Sequence, residues 1–162
     1  MYKLKIAKFG GSSLADAGQM KKVKNIVLAD EARRYIVPSA PGKRNSSDTK
    51  ITDSLYRLHA AITEGRDYSE TYSFIYDRFT GIRDDLGSSV EIEKYLDEIL
   101  NTLLKGASDD YAASRGEYLN GILLADYLGY DFVDAADVVK FDKRGRYDQE
   151  QTMKIMPEVL AA

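Results

Sequence analysis

The stretch Lys8-Phe9-Gly10-Gly11-Ser12-Ser13 (KFGGSS) separates two different apolar patterns. Before it, apolar residues alternate with lysines, which predicts a half-buried strand; they are Tyr2, Leu4 and Ile6. After it, apolar residues recur at helical spacing, at Met20, Val23 and Val27. A glycine-rich turn between a strand and a helix lets backbone N–H groups approach an anion. It suits a plain strand-to-helix connection equally well, so its shape leaves both interpretations open.

The rest of the chain continues this alternation of strand and helix patterns. Short apolar segments predict further strands, at 35–37, 131–134 and 138–141. Apolar residues at helical spacing predict helices over 51–62, 68–86, 92–103 and 109–128. Strands alternating with helices indicate an α/β fold with a mainly parallel sheet.

The composition restricts the class of protein. A length of 162 residues is typical of one domain, and 44% apolar with 30% charged residues fits a globular chain. A net charge of -3 with both signs interspersed does not fit a nucleic-acid binder. The lack of cysteine excludes disulfides, zinc–thiolate sites and cysteine nucleophiles. Since there is neither a signal-peptide pattern nor a run of about 20 apolar residues, we expect a cytoplasmic protein without a membrane partner.

The common nucleotide-binding signatures do not fit the glycines of this chain. Gly42-Lys43 lacks the flanking residues of a Walker A motif, and Gly10-Gly11 lacks the G-x-G-x-x-G spacing. Four segments, in order along the chain, nevertheless resemble motifs of the aspartate kinases, which belong to the amino acid kinase superfamily. They are Lys8–Ser13, Val37–Gly42, Thr52–Leu55 and Ser114–Glu117.

The resemblance implies a fold and a domain organisation. The fold would be a three-layer αβα, amino acid kinase-like architecture with a mainly parallel sheet, incomplete at its C-terminal side. Residues 1–162 would form the N-terminal, amino-acid-substrate portion of the kinase domain, without the nucleotide-binding part and the regulatory domains. We expect such a piece to be inactive alone, with a homo-oligomer or a partner chain supplying the missing half.

The resemblance also implies a reaction, the transfer of the γ-phosphoryl group of ATP, with Mg²⁺, to the side-chain carboxylate of L-aspartate. This is the first step towards lysine, threonine and methionine. Aspartate is already ionised at pH 7, so the chemistry needs charge neutralisation and positioning rather than a general base. The implied catalytic residues are Lys8 and Glu117. ATP would be held by Lys8 with the amides of Gly10, Gly11 and Ser12, and aspartate by Ser39, Thr52 and Glu117. No side chain is predicted as a metal ligand.

Each assignment has a simpler alternative. Lys8 also fits a solvated lysine at a strand end, and Glu117 a surface acid or a partner of Arg115. Ser39 also fits a strand end, and Thr52 an ordinary helix start. Two alternatives remain for the function as a whole. One is a non-catalytic fragment that associates with a partner chain, and the other is an amino acid kinase that acts on a different carboxylate or a carbamate.

Further residues are assigned as follows. His59, the single histidine, is expected to be structural or solvated. Lys43 and Arg44 fit either a contact with phosphate or substrate or a solvated loop. The aromatic stripe over 68–86 is expected to pack in the core.

Overall fold

A computed structural model describes residues 4–160, so Tyr2 of the predicted first strand lies outside the described part. The strands are β1 (Lys5–Phe9) and β2 (Arg33–Pro38), and a 3₁₀ turn (Gly11–Leu14) follows β1. The helices are α1 (Ala17–Leu28), α2 (Ile51–Thr63), α3 (Ser69–Leu86), α4 (Ile92–Leu104), α5 (Asp109–Leu128), α6 (Ala135–Val138) and α7 (Gln149–Leu160). The predicted α/β fold with a parallel sheet is confirmed, and the sheet is small beside the helices.

The two strands form a parallel pair, with α1 as the connection between them. Alternation along each strand divides the sheet into two faces. Phe9 and Ile36 pack against the helical core. On the other face, Ile6 is 73% exposed and Val37 is 49% exposed. One face of the sheet is therefore covered by helices, while the other presents apolar side chains to solvent.

The core lies between helices α1 to α5. Each helix contributes an apolar face at the spacing that the sequence predicts. On α3 this face includes Ile75, Phe79 and Ile82, which are at most 4% exposed, so the expectation of core packing for segment 68–86 is confirmed. The side chain of Asp16 accepts a hydrogen bond from the N–H of Gln19 at 2.8 Å and thereby caps the start of α1.

The described residues divide into two compact units, with the boundary between Tyr130 and Asp131. The second unit contains α6, α7 and an isolated antiparallel bridge between Phe141 and Tyr147. The strands predicted at 131–134 and 138–141 are therefore wrong.

The reason is local hydrogen bonding. Asp134 accepts from the N–H of Ala136 at 2.9 Å and so starts α6. Further along, the N–H of Lys140 donates to Thr152 Oγ1 at 2.9 Å. These backbone groups are therefore used by a cap and a side chain rather than by a ladder.

In residues 4–160, no helix combines the length and the apolar character that crossing a bilayer requires.

Candidate active site at the carboxyl ends of the strands

Two loops meet at the carboxyl ends of β1 and β2, which lie at the same edge because the strands are parallel. We call residues 10–16 the first loop and residues 39–50 the second loop. The N–H of Ser39 donates to the carbonyl of Phe9 at 3.0 Å and prolongs the ladder by one bond. The N–H of Gly42 donates to the carbonyl of Gly11 at 2.9 Å. The backbones of the two loops are thus in direct contact.

This contact explains the second glycine of the KFGGSS stretch. A Cβ on Gly11 would lie 2.9 Å from the carbonyl oxygen of Ala40, and a Cβ on Gly42 would lie 2.6 Å from the carbonyl carbon of Gly11. Both glycines are therefore required by close backbone approach. A Cβ on Gly10 would have no atom within 4 Å, so there is open space beside this residue.

Helix α5 packs on the second loop and on the start of α2 through Gly116 and Asn120. A Cβ on Gly116 would lie 2.7 Å from the Cβ of Ala40 and 3.4 Å from Cγ2 of Ile51, the first residue of α2. Asn120 is fully buried, and its Nδ2 donates to the carbonyl of Ser39 at 2.6 Å. Gly116 therefore allows α5 to pack closely on the second loop and on the start of α2.

Three predicted substrate residues belong to these contacting segments. Ser39 begins the second loop, Thr52 follows Ile51 in the first turn of α2, and Glu117 follows Gly116 on α5. Ser39 and Thr52 are half-buried, whereas Glu117 is exposed. The structure therefore brings together the segments that carry these residues, at the edge where the first loop also lies.

The predicted ATP-binding residues lie at the end of β1 and in the first loop. Lys8 pairs in register with Val37, and both residues are exposed. Lys8 therefore lies on the open face of the sheet, two residues before the first loop. Ser12 is exposed within the 3₁₀ turn. The first N–H groups of such a turn have no acceptor inside it, so they are oriented to bind an external acceptor.

A buried charge cluster behind the loops was not predicted from the sequence. Its members are Arg78 on α3 and Asp48 in the second loop, whose side chains are 2% and 4% exposed and joined by a 2.6 Å contact from Nη2 to Oδ2. Arg44 Nε donates to the same oxygen at 2.9 Å. Hydrogen bonds from Arg44, aided by the charge of Arg78, hold the pKa of the Asp48 carboxyl well below its usual range. Burial lowers the pKa of Arg78.

One sequence signal points to this cluster. Arg78 lies on the apolar stripe of α3, one helical turn from Ile75 and Ile82 and directly before Phe79. An arginine on such a stripe must be paired, since an unpaired buried charge is costly. Arg44 binds Asp48 within its own loop and its side chain is 46% exposed, which fits the expected solvated loop. A contact of Arg44 with phosphate or substrate stays a prediction. Lys43 is exposed.

Two further assignments are clarified by contacts. His59 Nε2 lies 2.9 Å from the carbonyl oxygen of Ala107, which fits the expected structural role. The guanidinium of Arg115 stacks between the rings of Tyr111 and Tyr118, at 4.7 Å and 4.6 Å. Its Nη2 donates to Ser114 Oγ at 2.9 Å. Arg115 is thus held by its neighbours on α5.

Comparison with known proteins connects this arrangement to a set of relatives. The chain matches no protein-family model. Aspartokinase 3 of Bacillus subtilis is 38% identical over 140 residues, which cover 82% of this chain and 30% of that protein. The crystal structure of Clostridium acetobutylicum aspartate kinase matches with a TM-score of 0.94 and 47% identity, over 99% of this chain and 37% of that one. Aspartokinase III of E. coli, crystallised with aspartate and ADP, matches in fold with a TM-score of 0.78 at 23% identity, over 97% of this chain. The chain spans about a third of the length of these relatives.

Proposed function

We propose that this chain, which has the sequence and fold of part of an aspartate kinase, forms the amino-acid-binding side of an aspartate kinase active site. The parent enzyme would transfer the γ-phosphoryl group of ATP to the side-chain carboxylate of L-aspartate. The observation that carries the proposal is the junction of the two loops with α5. The Gly42–Gly11 hydrogen bond of 2.9 Å and the Asn120–Ser39 hydrogen bond of 2.6 Å hold these three segments together.

On the phosphoryl side, Lys8 would neutralise the charge that develops during transfer. The open space beside Gly10 leaves room for a phosphate group against the backbone. The amides of Gly10, Gly11 and Ser12 would then donate to phosphate oxygens, as backbone N–H groups do in other anion sites. When bound, ATP supplies the electrophilic phosphorus, and the role of these residues is to orient it and stabilise its charge.

On the amino-acid side, Glu117 would bind the ammonium group of aspartate, while Ser39 and Thr52 would hold its polar groups. The substrate carboxylate is ionised at neutral pH, because its reference pKa is about 3.9. It can therefore attack without a base supplied by the protein. The contribution of this chain is to orient that carboxylate towards the phosphate side of the site.

In the proposed reaction, Mg²⁺ would enter the site bound to the phosphates of ATP. Within residues 4–160, no three histidine or acidic side chains are grouped so as to hold a metal ion. We assign no side chain to the metal, and the phosphates of ATP would be its ligands. The predictions of cytoplasmic location and of a role in lysine biosynthesis remain part of the proposal.

The test is an ATP-dependent aspartyl-hydroxamate assay on the parent enzyme that contains this chain. We expect Glu117→Gln to raise the KM for aspartate by about 10- to 100-fold, since it removes the negative charge that would pair with the ammonium group. Lys8→Met should lower kcat by about 10²-fold or more. Glu98→Gln, at an exposed position of α4, is the matched control and should change neither value. If the parent enzyme phosphorylates another carboxylate or a carbamate in preference to aspartate, the substrate assignment is wrong.

A second candidate function is association with a partner chain without catalysis. The exposed apolar face of the sheet, with Ile6 73% and Val37 49% exposed, favours it. We expect the 162-residue chain alone to show no turnover in the hydroxamate assay. Mixing with the remaining part of the enzyme should restore turnover if the chain is catalytic. A stable complex without turnover would favour the second function. Turnover by the chain alone would contradict the second function and the expectation that the chain is inactive by itself.

A further inference from the structure

We propose that Arg78 is a positioning residue of this site, which fixes the first loop, the second loop and α3 relative to one another. The expected effect of Arg78 on aspartate binding rests on the proposed function. Its effect on the positions of the loops rests only on its contacts, because one guanidinium group contacts both loops.

The contacts of Arg78 come from three points of the chain. Its Nη2 donates to Asp48 Oδ2 at 2.6 Å, and its Nη1 donates to the carbonyl of Gly42 at 3.0 Å. The same Nη1 lies 3.4 Å from the carbonyl of Ala15, at the end of the 3₁₀ turn. A planar guanidinium offers donors in several directions at once, which a lysine ammonium at the same place cannot match. Arg78 therefore joins the two loops with fixed geometry.

The peptide groups around Gly42 are held from both sides. The carbonyl of Gly42 accepts from Arg78, while its N–H donates to Gly11 at 2.9 Å. Gly11 is one of the amides assigned to ATP, and Ser39, assigned to aspartate, lies three residues before Gly42. A displacement of Gly42 would therefore change the separation between the two halves of the site.

The cost of burying Arg78 supports a geometric role. Its side chain is 2% exposed, and its Nε has no hydrogen-bond partner although it is buried. The loss of hydration makes a buried ion pair a weak source of stability compared with apolar packing. A leucine or methionine on the apolar stripe of α3 would pack without this cost. What an apolar residue cannot supply is the hydrogen bonding to both loops.

Arg83 provides a matched control on the same helix. It also forms an ion pair, from Nη1 to Glu93 Oε1 at 2.7 Å, and its side chain is 19% exposed. Arg83 also pairs with Asp84 on α3, from Nε to Oδ1 at 2.6 Å, and neither Glu93 nor Asp84 lies in a loop of the site. A substitution at Arg83 therefore removes a helix-to-helix ion pair of similar chemistry without releasing Gly42.

The experiment compares Arg78→Lys, Arg78→Met and Arg83→Met in the full-length enzyme that contains this chain. Steady-state kinetics give the KM for aspartate and kcat, and hydrogen–deuterium exchange follows the amides of residues 10–16 and 39–50. We expect both Arg78 variants to raise the KM for aspartate by about tenfold or more, with a smaller change in kcat. Exchange should accelerate in both loops, less in Arg78→Lys than in Arg78→Met, and should stay as in the wild type in Arg83→Met.

Two results separate this inference from the proposed function. The positioning role is refuted if the Arg78 variants are less stable than the wild type but keep its KM for aspartate and its exchange rates in both loops. If the wild-type enzyme shows no aspartate-dependent turnover, the proposed function fails. The exchange data then decide the positioning role on their own, because they require no activity.

Discussion

The substitution Gly116→Ala tests the closest contact between α5 and the second loop. A Cβ at this position would lie 2.7 Å from the Cβ of Ala40 and 3.3 Å from Cδ1 of Leu55. Carbon atoms in contact are normally about 3.5–4.0 Å apart, so the two Cβ atoms must separate by about 1 Å. Helix α5 cannot retreat freely, because Leu119 and Leu123 on it are fully buried. The strain therefore acts on the second loop.

The magnitude follows from two opposing terms. Replacing glycine by alanine inside a helix stabilises the helix by about 1 kcal/mol. Forcing an extra methyl group into a packed site costs about 1–3 kcal/mol. The net effect of Gly116→Ala on the free energy of unfolding is thus a loss of about 0–2 kcal/mol. Gly81→Ala is the matched control, because a Cβ at this exposed position of α3 would meet no atom within 4 Å. It should gain about 0.5–1 kcal/mol.

Urea denaturation of the two variants and the wild type measures this difference. We expect Gly81→Ala to be more stable than Gly116→Ala by about 1–3 kcal/mol. For a chain of this size, that difference corresponds to about 2–12 °C in Tm. If Gly116→Ala is as stable as Gly81→Ala, α5 does not pack closely on Ala40 of the second loop.

Three other predictions concern the loops and the start of α1. Gly42→Ala should have its unfolding midpoint at a lower urea concentration than Gly10→Ala. A Cβ at position 42 would lie 2.6 Å from the backbone of the first loop, whereas a Cβ at position 10 would have open space. Equal midpoints would contradict the contact between Gly42 and Gly11. Because the pKa of Asp48 is lowered in the folded state, its stabilising effect is present above about pH 4 and is lost as the pH falls below that value. The deficit of Asp48→Asn relative to wild type, about 3–5 kcal/mol at pH 7, should therefore shrink on acidification, and a pH-independent deficit would refute this. Asp16→Ala should lower the free energy of unfolding, measured by urea denaturation, by about 1 kcal/mol, because it removes a helix cap. Lys50→Ala, at a helix start without a side-chain cap, should leave it unchanged. Equal losses in the two variants would show that the cap is unimportant.

The helices were predictable because their signals are local. Periodic apolar residues mark the buried face of each helix, and glycines end two of them in the left-handed conformation, Gly87 with φ 66° and Gly129 with φ 73°. The structure of the segment after Tyr130 was not predictable in the same way. A short apolar run becomes a strand only if a neighbour offers ladder hydrogen bonds. Here Asp134 begins a helix instead, and the backbone of Lys140 binds a threonine.

The sequence motifs identified exposed and half-buried residues of the candidate site, and none of its buried side chains. Ser39, Thr52 and Glu117 were identified through motifs, and the structure brings their segments together, while their roles remain predictions. Arg78 and Asn120 form hydrogen bonds to residues that are 36 and 81 positions away in the sequence. No local pattern specifies such pairings, although a charge on an apolar stripe indicates that a partner exists.

Three exposed residues that are proposed for the chemistry differ in burial from two side chains that form hydrogen bonds to the second loop. Lys8, Ser12 and Glu117 are exposed, whereas Arg78 and Asn120 are buried. An exposed side chain can be replaced at little cost in folding, because surface positions contribute little to the free energy of unfolding. A buried polar side chain cannot, since its removal leaves partners without hydrogen bonds. Substitutions in the first group should therefore change kinetics alone, while substitutions in the second should change kinetics and stability together. Double variants that combine substitutions at Glu117 and Arg78 test whether the two residues act on the same site. If they do, their effects on the KM for aspartate should not be additive.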